Sequence, residues 1–331
     1  MSKEEAAGGK RVRVLVTGSG GPAAIAVIRS LQDDPSIQLI SADIDPWASG
    51  LYMVPAEDRV LLKRGDDPEF VRHLLEVCVE MEIDIVVPTV DTELEPIASS
   101  LDLFTYNDIG VLVPKADALG NTLDKLALAR ACAGEVRVPR TELVSEADWS
   151  SWEFPAITKP RRGSGSRGIV IVESADAIKY LDDLTDVLIQ ELLPGDEYSV
   201  DVLANHKGVP IAAVPRLRAR VDSGVAVAGR TLVDPELEDF AKKVVQRLKL
   251  PFISNVQIRR DKNGRPALLE VNPRVPGSLA LTRAAGVDMV KIAIDDLRGL
   301  PIPTEVAHRE VAMVRPLGDL VVEISDLVAG V

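Results

Sequence analysis

The most informative stretch of this chain is Asn255-Val-Gln-Ile-Arg-Arg-Asp-Lys-Asn-Gly-Arg-Pro-Ala-Leu-Leu-Glu-Val-Asn-Pro-Arg274. Within it, Asn263-Gly264 separates two runs in which apolar and polar residues alternate. This is the strongest short-range signal of a β-hairpin, because a two-residue type I′ turn needs positive φ at both central positions. The pattern predicts a hairpin in which Lys262 faces Arg265.

The register counted back from this turn places four polar side chains on one face of the hairpin. Gln257 lies opposite Glu270 and Asn255 lies opposite Asn272, because side chains alternate along a strand. Carboxylate and carboxamide oxygens suit a hard cation such as Mg²⁺, and Arg274 follows close enough to pair with a phosphate. The alternative interpretation is a surface strand whose polar residues face water. The opposite face of the hairpin is aliphatic: Val256, Ile258, Leu269 and Val271.

The composition indicates a globular protein of two or three domains and argues against nucleic acid as a partner. The chain has 331 residues, of which 46% are hydrophobic and 27% charged. Aromatic residues make up only 4%, which is unlike a stacking platform for single strands. The net charge of −13 would repel a phosphate backbone.

No apolar run reaches the length of a membrane span, so we expect no membrane partner. Residues 1–10 are polar and predict a flexible tail rather than a signal peptide, which indicates a cytoplasmic location. Cys78 and Cys132 lie in segments of helical character and are expected to be buried apolar residues rather than a disulfide.

The order of strands and helices divides the chain near residue 118. Residues 11–117 alternate short aliphatic strands with apolar-faced helices, which predicts an α/β domain with a parallel sheet. Residues 118–331 carry short strands, glycine turns and the hairpin, a pattern typical of an α+β fold. The segment 216–230, which contains two glycines, is predicted to be a mobile loop.

The sequence Gly18-Ser-Gly-Gly-Pro-Ala23 joins the first predicted strand to the first predicted helix. It fits the dinucleotide fingerprint G-x-G-x-x-A, and Asp43 ends the second strand, where such folds bind a ribose. An NAD-dependent enzyme is therefore one hypothesis. A glycine turn that opens a helix also presents free N–H groups to any anion, including a substrate carboxylate.

A second glycine-rich sequence, Lys159-Pro-Arg-Arg-Gly-Ser-Gly-Ser-Arg-Gly168, lies between two predicted strands. It is not a Walker A loop, since no Gly-Lys-Ser/Thr closes it. Ser164, Gly165 and Ser166 suit a flap whose backbone N–H groups cover phosphates, with Lys159 in reach of an α- or β-phosphate oxygen. The alternative is a basic hairpin loop exposed to solvent.

A strand–turn–strand sequence follows at Glu191-Leu-Leu-Pro-Gly-Asp-Glu197. An extended segment at such a crossover can offer backbone N–H and C=O groups to an adenine edge. Glu197 can accept hydrogen bonds from ribose hydroxyls. Taken by itself, this is an ordinary strand–turn–strand.

Two further groups of polar residues are candidates for an acceptor site. Thr89, Asp91 and Glu93 follow the third predicted strand, where open α/β sheets bind ligands. In the second group Arg220 is able to hold a carboxylate, although a solvated charge face is the alternative. The second group is Asp201, Arg216, Arg218 and Arg220.

Four features of the chain occur in the order typical of one family: Lys125 in a helix, Lys159 with its flap, the 191–197 crossover, and the row of Gln257, Glu270 and Asn272. The chain resembles the ATP-grasp superfamily over essentially its whole length, including the preceding α/β domain. Within that superfamily it is most similar to the synthetase halves of the carbamoyl-phosphate synthase large subunit, in which a Gln provides one metal ligand.

The resemblance implies an α/β N-terminal parallel-sheet domain at 11–117, followed by a two-subdomain α+β ATP-grasp fold. The small subdomain would span 118–190 and the large one 191–331, with ATP between them. The implied site residues are Lys125, Lys159, Ser164, Gly165 and Ser166 on the phosphates, Glu191, Leu192 and Leu193 at the adenine, Glu197 on the ribose, Gln257, Glu270 and Asn272 on Mg²⁺ or Mn²⁺, and Arg274 on the transferred phosphoryl group.

The resemblance also implies an ATP-dependent carbon–nitrogen ligase that activates a carboxylate as an acyl phosphate and releases ADP and phosphate. The chain carries one such unit and no glutaminase-like Cys–His pair, so the nitrogen would arrive as a free amine or ammonia. The alternatives are a bicarbonate-phosphorylating enzyme and a nucleotide-binding scaffold without turnover. The expected partners are small-molecule carboxylates and amines, and a homodimer is common for such folds.

Overall fold

Three β-sheets, counted over the residues that the structure describes, organise the chain. The computed structural model describes residues 10–163, 168–180, 184–222, 225–316 and 318–328. The first sheet is parallel, and the two that follow it are antiparallel. This arrangement confirms the predicted α/β domain followed by an α+β fold.

The first domain is a five-stranded parallel sheet with helices on both faces. Its elements are β1 (Val12–Val16), α1 (Pro22–Leu31), β2 (Ile37–Asp43), β3 (Arg59–Leu61), α2 (Phe70–Glu80), β4 (Ile85–Val87), α3 (Asp91–Ala98), α4 (Leu101–Tyr106) and β5 (Gly110–Val111). The strand order is β3-β2-β1-β4-β5. Short aliphatic strands form here because both faces are covered: Val14 and Val16 share a cluster with α1, and Leu15 shares one with α2 and α3.

The carboxyl ends of β1 and β4 carry the loops that face the rest of the molecule. β1 runs into the glycine turn at 18–23, and β4 runs into the corner before α3. Gly18 has a φ of 61°, and a Cβ there would lie 2.4 Å from Cγ2 of Val90, so only glycine lets the two loops touch. Because β1 and β4 are adjacent and parallel, this edge is the switch point at which open α/β sheets bind ligands.

The next part of the chain forms two helices and a four-stranded antiparallel sheet. Its elements are α5 (Ala116–Leu123), α6 (Lys125–Cys132), β6 (Thr141–Leu143), β7 (Ala156–Pro160), β8 (Val170–Val172) and β9 (Val187–Glu191), in the sheet order β6-β9-β7-β8. Asp124 starts α6 by accepting hydrogen bonds from the N–H groups of Leu126 and Ala127. Leu128 and Cys132 of α6 pack in the core of the large sheet, so the small sheet proper begins at Thr141.

The large sheet is built from the six remaining strands. Its elements are β10 (Glu197–Ala204), β11 (Pro210–Asp222), β12 (Val225–Thr231), α7 (Pro235–Leu248), β13 (Phe252–Arg260), β14 (Pro266–Asn272), α8 (Leu279–Ala284), α9 (Met289–Leu297) and β15 (Ala312–Val314), in the sheet order β14-β13-β10-β11-β12-β15. The longest helix of the described residues is α7, and none of the described helices is long and apolar enough to cross a bilayer.

One hydrophobic core joins the first domain to the large sheet. Val27 of α1 and Ile294 of α9 belong to the same buried cluster as Leu203 of β10 and Val214 of β11. Packing of this kind resists deformation, because buried side chains interdigitate at the density of an organic crystal. The loops of the first domain are therefore held in a fixed position over the strands of the large sheet.

The prediction of a mobile loop at 216–230 is wrong. This segment forms most of β11 and β12, which pair from Arg216 and Thr231 onward. A Cβ at Gly229 would lie 2.7 Å from the carbonyl oxygen of Leu217, so this glycine marks a close approach of two strand backbones. Sequence reasoning mistook a glycine within a strand for a sign of a loop. Gly224, the other glycine of the segment, lies outside the described residues.

The predicted pairing of the polar row is confirmed. Asn255 pairs with Asn272 and Gln257 pairs with Glu270 in the antiparallel ladder of β13 and β14. The aliphatic side of the hairpin packs against α6 and α7, because Val256 and the other buried residues of these strands share one cluster with both helices. The polar face of the hairpin is therefore turned away from the core.

The turn of this hairpin differs from the predicted one. Only Gly264 has positive φ, and the N–H of Asp261 bonds the carbonyl oxygen of Arg265 at 2.9 Å, which leaves a three-residue loop at 262–264. This shifts the register by one residue, and a bulge after Gln257 shifts it back. As a result Leu268 is buried in the core, whereas Leu269, predicted to face the core, lines the central cavity.

Cys78 and Cys132 are free and buried, as predicted. Burial raises the pKa of the Cys78 thiol to about 12 and that of the Cys132 thiol to about 11. Both thiols therefore stay protonated at neutral pH, which is the unreactive form.

Candidate active site

A cavity of about 990 Å³ lies where the three sheets meet. Its walls come from the loops of β1 and β4, from the start of α6, from β7 and the crossover after β9, and from the polar face of the hairpin β13–β14. A volume of this size accommodates a nucleotide together with a small substrate. Of the predicted site residues, the structure brings to this cavity Lys125, Lys159, Glu191, Leu192, Leu193, Glu197, Gln257, Glu270, Asn272 and Arg274.

The lining of the cavity is positive although the chain as a whole is acidic. Among the described residues seven lysine and arginine side chains line it, against four acidic ones, whereas the net charge of the chain is −13. A cleft lined mainly by one sign of charge raises the local concentration of ligands of the opposite sign. The seven are Lys125, Lys159, Arg162, Arg216, Arg218, Arg259 and Arg274, and the four are Asp91, Glu191, Glu197 and Glu270.

The polar row of the hairpin fits a single hard cation. The amide of Asn272 donates to Oε1 of Glu270 at 3.0 Å, which orients both side chains. No group of three or more His, Cys, Asp or Glu side chains placed to hold a metal ion occurs among the described residues. The row itself has one carboxylate and two carboxamides. A Mg²⁺ ion at Gln257, Glu270 and Asn272 would take oxygen ligands only, with the rest supplied by ligand phosphates and water.

Two lysines line the same cavity as the row. Nζ of Lys125 lies 3.9 Å from Oε2 of Glu270 and donates to the carbonyl oxygen of Gly163 at 2.6 Å. Nζ of Lys159 is buried and donates to Oε1 of Gln190 at 2.8 Å. Burial, together with the charge of Lys125, lowers the pKa of Lys159 to about 8. Burial and the nearby charge of Lys125 destabilise the charged ammonium group, and a phosphate that enters the cavity would stabilise it.

Gln190 is a site residue that sequence reasoning missed. Its Oε1 accepts from Lys159 and its Nε2 donates to Oγ1 of Thr141 at 2.8 Å, so it fixes the position of the ammonium group. The available signal was a polar side chain at the end of the aliphatic run of β9, Val187-Leu-Ile-Gln190. A buried glutamine at such a position needs a partner on both its oxygen and its nitrogen.

The predicted flap residues Ser164, Gly165 and Ser166 lie outside the described residues. The residues that flank them, Gly163 and Ile169, line the cavity.

The crossover after β9 lines the cavity with Leu192 and Leu193. The carboxylate of Glu191 is held by residues that do not line the cavity. It accepts hydrogen bonds from Nη2 of Arg137 at 2.8 Å and from the N–H of Arg140 at 3.3 Å. Glu197 lies on the cavity wall, where Oε1 accepts from Nη1 of Arg218 at 3.4 Å. The segment thus presents two apolar residues followed by one acidic side chain.

The two predicted catalytic arginines differ in position. Arg274 lines the cavity and forms a two-pronged ion pair with Asp91 of the first domain, with Nε 2.5 Å from Oδ1 and Nη2 2.9 Å from Oδ2. Arg220 lies further along β11, where it pairs with Ala228, is exposed and is absent from the cavity wall. The structure therefore does not bring Arg220 to the site.

Asp201, a predicted acceptor-site residue, is fully buried beneath the cavity rather than in it. Its Oδ2 accepts from Nε of Arg216 at 2.9 Å and from Oγ1 of Thr282 at 2.5 Å. Its Oδ1 accepts from Nη2 of Arg216 at 2.6 Å and from the amide of Asn255 at 2.7 Å. The carboxylate thus positions Arg216, which does line the cavity, and leaves no oxygen for a ligand.

The glycine turn of the first domain is not arranged as a dinucleotide site. Oδ2 of Asp43, the predicted ribose ligand, accepts from the N–H of Gly20 at 2.7 Å, and its Oδ1 accepts from the N–H of Asp45 at 2.9 Å. Gly50 packs directly on Ser19, since a Cβ at residue 50 would lie 2.3 Å from the carbonyl oxygen of Ser19. Backbone N–H groups of the chain therefore already bind both oxygens of the Asp43 carboxylate, which a nucleotide ribose would need.

Of the other acceptor-site candidates in the first domain, Glu93 is buried while Thr89 and Asp91 line the cavity. Oγ1 of Thr17 donates to Oε2 of Glu93 at 2.5 Å, and Oγ1 of Thr89 donates to the carbonyl oxygen of Thr17 at 2.8 Å. Burial raises the pKa of Glu93 to about 7. This network supports the loops at the switch point from below.

Comparison with known proteins agrees with this geometry. Residues 14–112 match a family model described as "PylC-like, N-terminal domain", and residues 183–320 match one described as "ATP-grasp in the biosynthetic pathway with Ter operon". The D-alanine–D-alanine ligase A of Clostridium perfringens is 31% identical over 180 residues, which cover 47% of this chain and 59% of that protein.

Two solved structures share the fold. A biotin carboxylase complex with β-gamma-ATP from Campylobacter jejuni has a TM-score of 0.72 at 16% identity, covering 88% of this chain and 72% of that one. The biotin carboxylase domain dimer of Hydrogenobacter thermophilus 2-oxoglutarate carboxylase, in complex with MgADP, ADP and bicarbonate, has a TM-score of 0.70 at 18% identity, covering 88% and 70%.

The matches show an ATP-grasp segment at 183–320 preceded by a PylC-like N-terminal domain at 14–112, and the chain shares the fold of the two biotin carboxylase structures. It spans 59% of the length of the matched D-alanine ligase. The closer similarity to carbamoyl-phosphate synthase stays a prediction.

Replacing Asp201 by Asn tests whether the buried network holds the site together. The change leaves Arg216 charged and unpaired in a buried position, so the free energy of unfolding should fall by about 3–5 kcal/mol. Urea denaturation measures this directly. Asp295→Asn is the control, because its ion pair with Arg298 is 3.8 Å long and partly exposed, and its loss should cost less than about 1 kcal/mol. Equal losses in the two variants would contradict the role given to Asp201.

Proposed function

We propose that this protein is an ATP- and Mg²⁺-dependent carbon–nitrogen ligase that activates a carboxylate as an acyl phosphate for attack by an amine or ammonia. The observation that carries the proposal is that an oxygen row and two lysines line the same cavity, with Nζ of Lys125 3.9 Å from Oε2 of Glu270. The oxygen row consists of Gln257, Glu270 and Asn272, and the two lysines are Lys125 and Lys159.

The nucleotide would lie between the small and large sheets. Leu192 and Leu193 would border the adenine, and Glu197 would accept from the ribose hydroxyls. Lys125 and Lys159 would neutralise the phosphates, and the flap sequence at 164–166 would cover them. The nucleotides named in the two biotin carboxylase complexes support this assignment.

A carboxylate is a weak electrophile, because an amine that attacked it would have to expel oxide. The carboxylate must therefore be activated first. A carboxylate oxygen forms a bond to the γ-phosphorus of ATP. The bond between that phosphorus and the oxygen bridging the β- and γ-phosphates breaks, and ADP leaves. The amine nitrogen then attacks the acyl carbon, and phosphate leaves with the bonding electron pair. When bound, Mg²⁺ supplies charge neutralisation between the phosphate oxygens.

The residues of the chain would hold charge and exclude water. Lys159 and Lys125 would hold the phosphate oxygens, and Arg274, now paired with Asp91, would stabilise the phosphoryl group in transfer. Water must be kept from an acyl phosphate, which gives the flap sequence its function.

A second candidate function is phosphorylation of bicarbonate. It is favoured by the similarity to biotin carboxylases, one of which is described in complex with bicarbonate. Assembly as a homodimer belongs to the proposal in the same way, since that neighbour is described as a dimer. Mn²⁺ in place of Mg²⁺ belongs to it because an all-oxygen ligand set suits both ions. A scaffold without turnover is disfavoured by the intact oxygen row.

Release of ADP from Mg-ATP in the presence of pooled carboxylates and amines tests the function. Wild-type protein should release ADP only when both an acid and an amine or ammonium are present. Glu270→Gln should keep the fold and reduce release by about 100-fold or more, because it removes the one charged ligand of the row. Glu142→Gln, at the exposed edge of the small sheet, should match wild type. Release by Glu270→Gln at the wild-type rate would contradict the metal assignment.

The affinity for ATP should fall as the pH rises from 7 to 9. Only the charged form of Lys159 pairs with a phosphate, and its pKa of about 8 lies inside this interval. The charged fraction, and with it the affinity, should drop roughly tenfold across the interval. Calorimetric titration at pH 7, 8 and 9 measures the effect. Lys159→Arg keeps its charge throughout and should flatten the profile; the same slope in both proteins would place Lys159 outside the phosphate site.

A further inference from the structure

One corner of the cavity is lined by three groups that can each donate a hydrogen bond. It is formed by Arg216 of β11, by Ser278 before α8, and by the first turn of α1 at 21–23, all of which line the cavity. We refer to these three parts as the donor corner. It lies where the loop before α8 packs on the first domain.

Arg216 brings a buried positive charge to the donor corner. Its side chain is only 4% exposed, and Nε and Nη2 are both committed to Asp201. Nη1 has no partner among the described residues, and Arg216 lines the cavity. The guanidinium is therefore fixed in orientation, with the Nη1 group left to donate to a ligand.

Ser278 brings an unused hydroxyl. The residue is 6% exposed and lines the cavity. Although it is the N-cap residue of α8, its side chain makes no capping hydrogen bond, and its hydroxyl has no other partner in the described part of the chain. A buried polar group of this kind normally has a partner, and the cavity is the place from which one can come.

The Asp201 network connects Arg216 to the helix that Ser278 precedes. Thr282 lies four residues after Ser278 and donates to Oδ2 of Asp201, the oxygen that also accepts from Nε of Arg216. One turn of helix rises about 5.4 Å, so the hydroxyl of Ser278 lies about one turn from the group that anchors Arg216.

The start of α1 closes the corner from the first domain. A Cβ on Gly277 would lie 3.1 Å from Cγ of Pro22, so the loop before α8 packs on the first turn of α1. This ten-residue helix has no side-chain cap and no acidic residue in its first turn. The N–H of Gly21 donates to the carbonyl oxygen of Gly18 at 2.9 Å and Pro22 has no N–H, so the N–H of Ala23 and the positive end of the helix dipole are what α1 contributes to the corner.

We propose that the donor corner binds the carboxylate group of the acid substrate, the group that accepts the phosphoryl group from ATP. The three donors converge from three elements, and a planar oxyanion with two oxygens is the ligand that such a set satisfies. This inference rests on the proposed function and adds to it the group that is recognised and the residues that recognise it. Bicarbonate carries the same oxyanion, so the test below separates it from organic acids.

The test is ADP release by the full chain with Mg-ATP and ammonium. It is run with a pool of amino acids and small carboxylic acids, with the matching carboxamides, and with bicarbonate alone. The carboxylate pool should stimulate release and the carboxamide pool should not. Ser278→Ala should raise the half-saturating concentration of the active acid roughly tenfold, and leave that of ATP unchanged, because one hydrogen bond to a charged group is lost.

Two further variants sharpen the test. Ser278→Asp places a carboxylate among the donors and should abolish the response to the acid while calorimetric binding of Mg-ATP persists. Ser254→Ala is the control, since this buried β13 hydroxyl also lacks a partner but is absent from the cavity wall, and it should behave as wild type.

The outcomes separate this inference from the proposed function. An unchanged response to the acid in Ser278→Ala would overturn the donor corner alone. Failure of the wild-type protein to bind Mg-ATP, stimulation by carboxamides, or no response to any oxyanion while Mg-ATP still binds would overturn the proposed function. Stimulation by bicarbonate alone, weakened in Ser278→Ala, would support the corner and assign it to the one-carbon oxyanion.

Discussion

The carboxylate of Asp201 accepts hydrogen bonds from side chains on β11, β13 and α8 at the base of the cavity. Through Asn255 it is connected to the row of the hairpin, and through Arg216 to the wall that faces the first domain. A buried carboxylate is tolerated only when its oxygens are satisfied, and here all the partners come from elements that form the site. The position of the site therefore depends on this one group.

The electrostatics of the cavity favour the protein with a bound anion over the free protein. The pKa of Lys159 lies near 8 in the folded protein, below the ordinary lysine value of 10.5, so folding disfavours its charged form. This destabilisation is fully present below pH 8 and vanishes above about pH 10.5, where the unfolded chain is also neutral. A bound phosphate stabilises the charged ammonium group and so offsets this destabilisation. A binding site can therefore lower the stability of the free protein and still be retained, because it binds its ligand.

The alternation of the hairpin and the Asn-Gly turn sufficed to predict the pairing of Gln257 with Glu270. They did not predict the three-residue turn or the bulge that turns Leu269 toward the cavity, because two compensating shifts leave the register at the row unchanged. The partnership of Asp201 with Thr282 spans 81 residues, and no local pattern predicts a contact of that separation. Gly229 misled for a physical reason, since a glycine can mark a loop or a close approach of strands.

Diffraction from crystals grown with ADP and Mn²⁺, measured at the manganese edge, tests the central claim most directly. The account predicts an anomalous peak within ligand distance of the oxygens of Glu270 and Asn272, with the adenine against Leu192 and Leu193. A nucleotide bound without a metal at this row, or bound at the glycine turn 18–23, would contradict it.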